Sequence, residues 1–398
     1  MPARGATVAS APRRACAGRA GVAQRGDRTY PRLIAAPAPH RKDLTPSEEA
    51  CSPASLVEIA ERVEVRLRTL LDAERARWSA VDPDLELPIA CLADLVLGGG
   101  KRLRPAFCHW AFVGAGGDPG DQIAVDAGAG FELLHAFALV HDDVMDGSDR
   151  RRGAETAHRR FEARHEAGAW RGEARRFGEG VAILVGDLAF VYADLLLADA
   201  PRAARDVYDE LRVELNIGQY LDVLGTARGG VDLATARRIA SFKSGRYTVE
   251  RPLHVGAALA GRLDDLEGPL SAYGDPLGEA FQLRDDVLGA FGDAAATGKP
   301  VGDDLREGKP TPILAVALER ATGAAAALLG RVGDPTLSDD DVAALQQVLI
   351  ETGALAEAEA RIEALADRAV AAAKEAPLEP EAQVALCELA TYIATRDR

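Results

Sequence analysis

The sequence predicts an all-α fold, a single large domain of ten or more helices spanning residues 51–398. Three observations lead there. Apolar residues recur at i, i+3, i+4 and i+7 in segment after segment, which is the spacing of one face of a 3.6-residue helix. Alternating β-branched runs, the mark of strands, are almost absent. Breakers such as Gly116-Gly117-Asp118-Pro119-Gly120 and Gly333-Asp334-Pro335 separate the helical segments, yet no linker and no fixed-period repeat divides the body.

Residues 1–50 differ from the rest. They hold nine Lys/Arg and four Asp/Glu, are rich in Ala, Arg, Gly and Pro, and show no helical periodicity, so a disordered basic tail is expected there. From about Leu44 the texture becomes helical, and Thr45-Pro46-Ser47-Glu48-Glu49 reads as an N-cap with Pro at the first position and acids in the first turn. Helical patterns then cover Leu56–Trp78, Phe107–Val113, Ile123–Met145, Val181–Leu197, Ala203–Thr226, Leu233–Gly261, Pro269–Phe291, Thr311–Leu329 and Asp340–Ala373.

Composition excludes several functions. The net charge of −15 argues against a nucleic-acid partner, since binding a polyanion needs a positive surface to displace counterions. Cys16, Cys51, Cys91, Cys108 and Cys387 are scattered and form no C-x-x-C pair, so neither a disulfide frame nor a zinc knuckle is expected, and a reducing cytoplasm fits best. No apolar run reaches the roughly 18 residues of a membrane span. The best candidate, Val181 to Ala200, is broken by Asp187 and Asp194.

Two acidic clusters each close an apolar helical stretch. In His141-Asp142-Asp143-Val144-Met145-Asp146, Asp142 and Asp146 lie one helical turn apart and Asp143 sits beside them. Three adjacent carboxylates repel one another unless cations neutralise them, and oxygen ligands at this spacing suit Mg²⁺. A solvated acidic helix end is the plainer alternative. The second cluster, Asp285-Asp286 in Phe281-Gln282-Leu283-Arg284-Asp285-Asp286, weakens that alternative, because two such ends can face each other across a helical bundle with metal and phosphate between them.

Cations complement the acids. Gly98-Gly99-Gly100-Lys101-Arg102-Leu103-Arg104-Pro105 is a glycine-rich loop entering a helix, with Pro105 expected at its first position. Cations before a helix N-terminus oppose its dipole, which makes sense if an anion binds there; a flexible basic loop is the alternative. Arg150-Arg151-Arg152-Gly153 follows the first acidic cluster closely, and arginine forks match phosphate oxygens. Lys243-Ser244-Gly245-Arg246-Tyr247, Lys299 and Lys309 add cations near breakers.

In this combination and order the motifs resemble those of the trans-isoprenyl diphosphate synthases, the polyprenyl synthetases that include the farnesyl and geranylgeranyl diphosphate synthases. The motifs are G-G-G-K-x-x-R-P, D-D-x-x-D followed by R-R-G, K-[ST]-x-x-Y-T, F-Q-x-x-D-D and G-K-x-x-x-D-D-L-x-x-x-K, and the likeness spans roughly residues 55–398. The resemblance implies mostly antiparallel helices around a central cavity. It implies a Mg²⁺-dependent (Mn²⁺ as substitute) head-to-tail condensation of isopentenyl diphosphate with an allylic diphosphate, in a homodimer.

Position by position, the resemblance implies metal binding by Asp142, Asp143, Asp146, Asp285 and Asp286. It assigns Lys101, Arg104, His135 and Arg152 to the isopentenyl diphosphate site. Arg151, Lys243 and Lys299 match groups holding the allylic diphosphate, with Lys309 near that end. Thr248 and Gln282 match polar groups beside the reacting carbons, and Gln219 and Asp222 line the cavity. Without the resemblance His135 reads as a satisfied core histidine. His141 reads as structural, Tyr247 as packing, and Asp187 as a buried hydrogen-bonded carboxylate.

One position departs from the pattern. The second motif usually ends in a further aspartate, where this chain has Gly289, and Asp293 lies four residues later. Activity is expected to survive, while a weakly active regulatory subunit stays open. Chain length is expected from the helix entering the first motif: Phe137 and Ala138 lie five and four residues before Asp142. A single aromatic there resembles geranylgeranyl diphosphate synthases, so a C20 product is expected, with farnesyl or longer-chain synthesis as the alternative. A terpene cyclase would need a different second metal motif and no Lys101/Arg104 loop. A phosphohydrolase would need a general base for water, and none is evident.

Overall fold

The computed structural model describes residues 53–228, 232–292, 301–334 and 336–396. The expectations for the 1–50 tail, for the N-cap at Thr45 and for Lys299 and Asp293 therefore lie outside the described residues.

The body is helical throughout. Its first helices are α1 (Ala54–Ser79), α2 (Glu86–Leu97), α3 (Leu103–Gly114), α4 (Gln122–Asp146), α5 (Ala157–Ala167), α6 (Ala174–Leu196), α7 (Arg202–Arg228) and α8 (Leu233–Ala240). A π-helical segment, Ser241–Glu250, runs directly into α9 (Arg251–Leu259). Then come α10 (Leu263–Phe291), α11 (Asp303–Glu307), α12 (Pro312–Arg320), α13 (Gly323–Leu329), α14 (Asp339–Glu351), α15 (Ala354–Glu375) and α16 (Pro380–Thr395). Among the described residues the extended backbone is a two-residue hairpin, Arg150–Arg151 with Ala154–Glu155.

Helix α4 is the central element. It packs against α1, α2, α3 and α6, and its middle, from Ala124 to Ala136, is almost wholly buried. By length and composition alone it is apolar enough to cross a membrane, with a mean hydropathy of 1.5, but 67% of that window is buried inside the protein. Among the described residues the most membrane-like helix is thus α4 and not the expected Val181–Ala200, and the packing identifies it as a core helix. Its ends are set locally. The Asp121 carboxylate accepts from the Ile123 N–H at the N-terminus, and Gly147 adopts a left-handed conformation that stops the helix directly after Asp146. The first acidic cluster therefore sits at the negative end of the α4 dipole, where cations are favoured.

Helix α10 packs against the π segment, α9, α15 and α16. Gly245 and Gly278 meet backbone to backbone; a Cβ on Gly278 would lie 2.7 Å from the Gly245 carbonyl oxygen. Gly218 gives α7 the same close approach, its absent Cβ falling 2.5 Å from the Lys243 nitrogen. These contacts bring α7, the π segment and α10 together, and the Lys243–Asp142 hydrogen bond ties the segment to the end of α4, with Lys243 and Thr248 on the segment wound i to i+5.

Candidate active site

The Asp142 carboxylate accepts from Gln219 Nε2 at 2.7 Å and from Lys243 Nζ at 3.0 Å, and Lys243 also reaches Asp222 Oδ2 at 2.6 Å. Burial opposes the Asp142 charge, but Lys243, Lys309 and Arg151 outweigh it and hold the carboxyl down at about 2. Asp143 is buried and accepts from Arg151 Nε at 2.7 Å. Asp146 lies 3.5 Å from Lys309 Nζ, yet burial and the neighbouring Asp142 charge push it up to about 6. Lys309 also pairs with Glu307 at 2.7 Å and lies 3.8 Å from Asp304.

The second cluster faces this one from α10. Asp286 is buried, its Oδ1 accepts from Gln282 Nε2 at 2.7 Å, and its Oδ2 has no partner among the described residues. Burial raises its pKa well above the usual carboxylate range; the Gln282 hydrogen bond works the other way, and the Asp304 and Asp285 charges add to the rise. Asp285 is turned elsewhere. It accepts from Arg396, which also donates to the Phe281 carbonyl at 3.2 Å and stacks on the Phe281 ring at 4.3 Å.

A basic pocket lies on the other side. Arg104 donates to Thr248 Oγ1 at 2.9 Å and its guanidinium sits 4.2 Å above the Tyr247 ring. Arg152 donates to the Gly99 carbonyl, which ties the glycine-rich loop to the loop after α4. Lys101 is half-buried on that same loop. His135 is half-buried; desolvation first, and then the charges of Arg104, Arg152, Arg151 and Arg102, hold it well below the ordinary histidine range and hence neutral. Arg152 is likewise pushed down by burial and by its arginine neighbours. Several guanidinium groups crowded around a neutral imidazole favour an anion.

The fold brings together Asp142, Asp143, Asp146, Arg151, Gln219, Lys243 and Lys309 around the first cluster, and Arg104, His135, Arg152 and Thr248 around the pocket. Among the described residues no three carboxylates or imidazoles converge closely enough to hold a metal ion as they stand. The site's own cations occupy them: Lys243 on Asp142, Arg151 on Asp143 and Lys309 beside Asp146. The donor set still fits a divalent cation. It is all oxygen, it carries the orphaned Asp286 Oδ2, and it holds one carboxyl, Asp146, that burial and the Asp142 charge raise to about 6.

Some expectations need correcting. Pro105 is not the first helical residue; α3 begins at Leu103, with Arg102 before it in the left-handed region at φ 52° and its side chain paired with buried Glu132. Asp187 is not buried: its carboxylate is 58% exposed and lies 3.8 Å from His141 Nε2. Tyr247 is a packing residue, as expected. The residues alone gave no role to Arg396 or Glu307, and Asp304 entered only inside the G-K-x-x-x-D-D-L-x-x-x-K motif. Arg396 lies more than a hundred residues from its partner Asp285, so no local pattern announces it.

With this geometry in place, comparison decides the family. A model of the polyprenyl synthetase family matches residues 88–349. The chain belongs to the polyprenyl synthetase family. The crystal structure of geranylgeranyl pyrophosphate synthase from Corynebacterium glutamicum, complexed with isoprenyl diphosphate and magnesium, superposes with a TM-score of 0.81 at 38% identity, covering 86% of this chain and 99% of that one. A geranylfarnesyl diphosphate synthase of Aeropyrum pernix is 31% identical over 76% of this chain and 92% of its own length. A (2E,6E)-farnesyl diphosphate synthase of Mycobacterium bovis is 36% identical over 75% and 80%. The polyprenyl synthetases compared here thus carry names for products of several lengths, and the chain is a prenyltransferase of this class.

Proposed function

We propose that this polyprenyl synthetase condenses isopentenyl diphosphate with an allylic diphosphate, head to tail, and that its main product is geranylgeranyl diphosphate. The observation that carries the condensation is the meeting of the two acidic clusters. Lys309 lies near both Asp146 of α4 and Asp304, and the Asp304 charge acts on Asp286 of α10. Asp142, Asp146 and Asp286 would hold Mg²⁺, with Mn²⁺ as a substitute, and Asp285 would join them on leaving Arg396. When bound, the metal supplies Lewis-acid stabilisation of the charge that develops on the leaving diphosphate.

The remaining roles fall to the chain's own residues. Lys243 and Arg151, both half-buried, are charged groups already aimed at the first cluster, and they orient the allylic diphosphate. Arg104, Arg152 and Lys101 bind isopentenyl diphosphate. Neutral His135 can donate a hydrogen bond to it without adding charge. Thr248 and Gln282 flank the place where the allylic carbon and the double bond meet.

The C20 reading rests on Phe137. Its ring packs 4.9 Å from Phe190 of α6 and 4.6 Å from His141, so it is braced as a floor, while Ala138 leaves room above it. A homodimer is supported by apolar side chains left exposed on α6 (Ile183, Leu184, Val191, Leu195) and α7 (Val213, Ile217, Tyr220, Val223). An exposed apolar set of this kind marks a face that a second copy can cover. Free Cys91, Cys108 and Cys387 suit a reducing cytoplasm. The direct test is to mix the protein with isopentenyl and farnesyl diphosphates and Mg²⁺ and measure diphosphate released. Release that needs both substrates supports condensation; release from the allylic diphosphate alone overturns it in favour of hydrolysis.

A further inference from the structure

We infer that Arg212 is a specificity-determining residue: its guanidinium, locked between α6 and α7, stiffens the floor on which the growing chain stops. The inference rests on the Phe137 floor of the proposed function and deepens it, adding to that floor a charged brace from α7.

Helices α6 and α7 pack on different neighbours. Helix α6 lies on α2, α4 and α5, whereas α7 lies on α8, the π segment and α9. Arg212 crosses from one group to the other. On its own helix it follows Tyr208 by four residues and Asp209 by three, so the three share one face. Its guanidinium lies 5.0 Å from the Tyr208 ring and donates to Asp209. On α6 it meets Phe190 and Asp194, again four residues apart. It lies 4.9 Å from the Phe190 ring and donates to Asp194 Oδ1 at 2.5 Å.

Both rings lead back to α4. Phe190 meets Phe137 at 4.9 Å, and Tyr208 meets Phe131 at 5.6 Å. The Tyr208 hydroxyl is buried without a partner among the described residues, so ring contacts and not a hydrogen bond hold this side chain. One half-buried guanidinium thus joins two aromatic pairs that both end on the helix carrying Phe137. Burial opposes its charge, and Asp209 and Asp194 outweigh burial.

This arrangement makes the floor stiff. Rings alone yield to a pressing hydrocarbon by changing rotamer. Here a turn of Phe190 must give up a cation–π contact, and moving Arg212 must break two ion pairs at once. A hydrocarbon tail offers the two carboxylates nothing in exchange.

The test compares variants by product size. Geranyl diphosphate, isopentenyl diphosphate and Mg²⁺ are supplied, and the dephosphorylated products are sized by mass spectrometry. Arg212→Met keeps much of the length and loses the charge. Its rate of making chains longer than the unaltered protein's main product is expected to rise about fivefold or more. A merely loosened fold would slow every addition instead. Arg212→Lys keeps a cation near both rings and both acids, and should return that rate to within about twofold of the original. Asp194→Asn, an isosteric change at an exposed position, loosens the same guanidinium and should shift the product in the same direction; melting curves show which variants fold. An unchanged product distribution in folded Arg212→Met, or in Asp194→Asn where Arg212→Met does not fold, overturns the inference. So does an Arg212→Lys no nearer the original than Arg212→Met. An unaltered protein whose main product is not C20 overturns the C20 reading, and the shift between variants still decides the role of Arg212.

Discussion

The Lys243 ammonium stands 3.0 Å from Asp142 Oδ1 and 2.6 Å from Asp222 Oδ2. The first acidic cluster is therefore not bare: a cation from the π segment already rests on it. A charged, half-buried lysine between two carboxylates is pre-positioned to turn toward a diphosphate when one arrives, and the two acids keep it protonated despite desolvation. Replacing it by Gln keeps the length and removes the charge. Lys243→Gln is expected to lower kcat by about 10² or more, with a smaller change in the KM for isopentenyl diphosphate. Steady-state kinetics checks this; an unchanged kcat would remove Lys243 from the leaving-group site.

Product length should follow the Phe137–Phe190 contact. Phe137→Ala removes a braced ring and opens space below Ala138, so products longer than C20 are expected by mass spectrometry of the dephosphorylated alcohols. Ala138→Phe adds bulk one position nearer Asp142 and should shift the product toward C15. If both variants keep the original product, the floor lies elsewhere.

The exposed apolar stripe on α6 and α7 should be an interface. Leu184→Asp with Ile217→Asp places two charges on that face and is expected to convert a dimer into a monomer in analytical ultracentrifugation, with the melting transition retained. An unaltered protein that sediments as a monomer would remove the interface.

The charge on Asp146 gives a pH dependence. Its folded pKa is raised to about 6, so the folded state holds a proton that the unfolded chain releases nearer the ordinary carboxylate value. This stabilisation is present below the unfolded value and is lost as pH rises through about 6. Buried Asp286 acts in the same direction. His109 and His254, held at about 4, act oppositely: they favour folding at high pH and lose their contribution as pH falls below the ordinary histidine value toward 4. The Asp146 part is isolated by difference. Without metal, Asp146→Asn should fall less in melting temperature between pH 5 and 7 than the unaltered protein, and Mg²⁺ with diphosphate should narrow that gap. Identical profiles would show that Asp146 carries no unusual proton.

How far the residues alone revealed this site depended on locality. The acids at 142, 143 and 146 share one helix end, and the turn that stops the helix, Gly147, is adjacent, so spacing was enough to group them. The same is true of Gln282 with Asp286, one turn apart on α10. The long apolar helices α1, α4, α6, α7 and α10 were also legible. Short α5 and the late α16 were not, being less regular in pattern or beyond the last periodic stretch read. The π winding of Ser241–Glu250 left no trace, because its residues repeat much as a helix would, and its Gly245 meets Gly278 only in the tertiary structure. Arg396 on Asp285 and Asp304 over Gly289 are long-range contacts that only the tertiary structure supplies. At Gly289 the sequence suggested a defect, where the structure shows an occupied position.

The most direct measurement of the central claim is to supply the purified protein with radiolabelled isopentenyl diphosphate, farnesyl diphosphate and Mg²⁺ and to size the labelled product. Incorporation of one labelled unit to give geranylgeranyl diphosphate as the dominant species is the predicted result. No incorporation, as a synthase that stops at C15 would give, or a dominant product of C30 and above, would contradict the account.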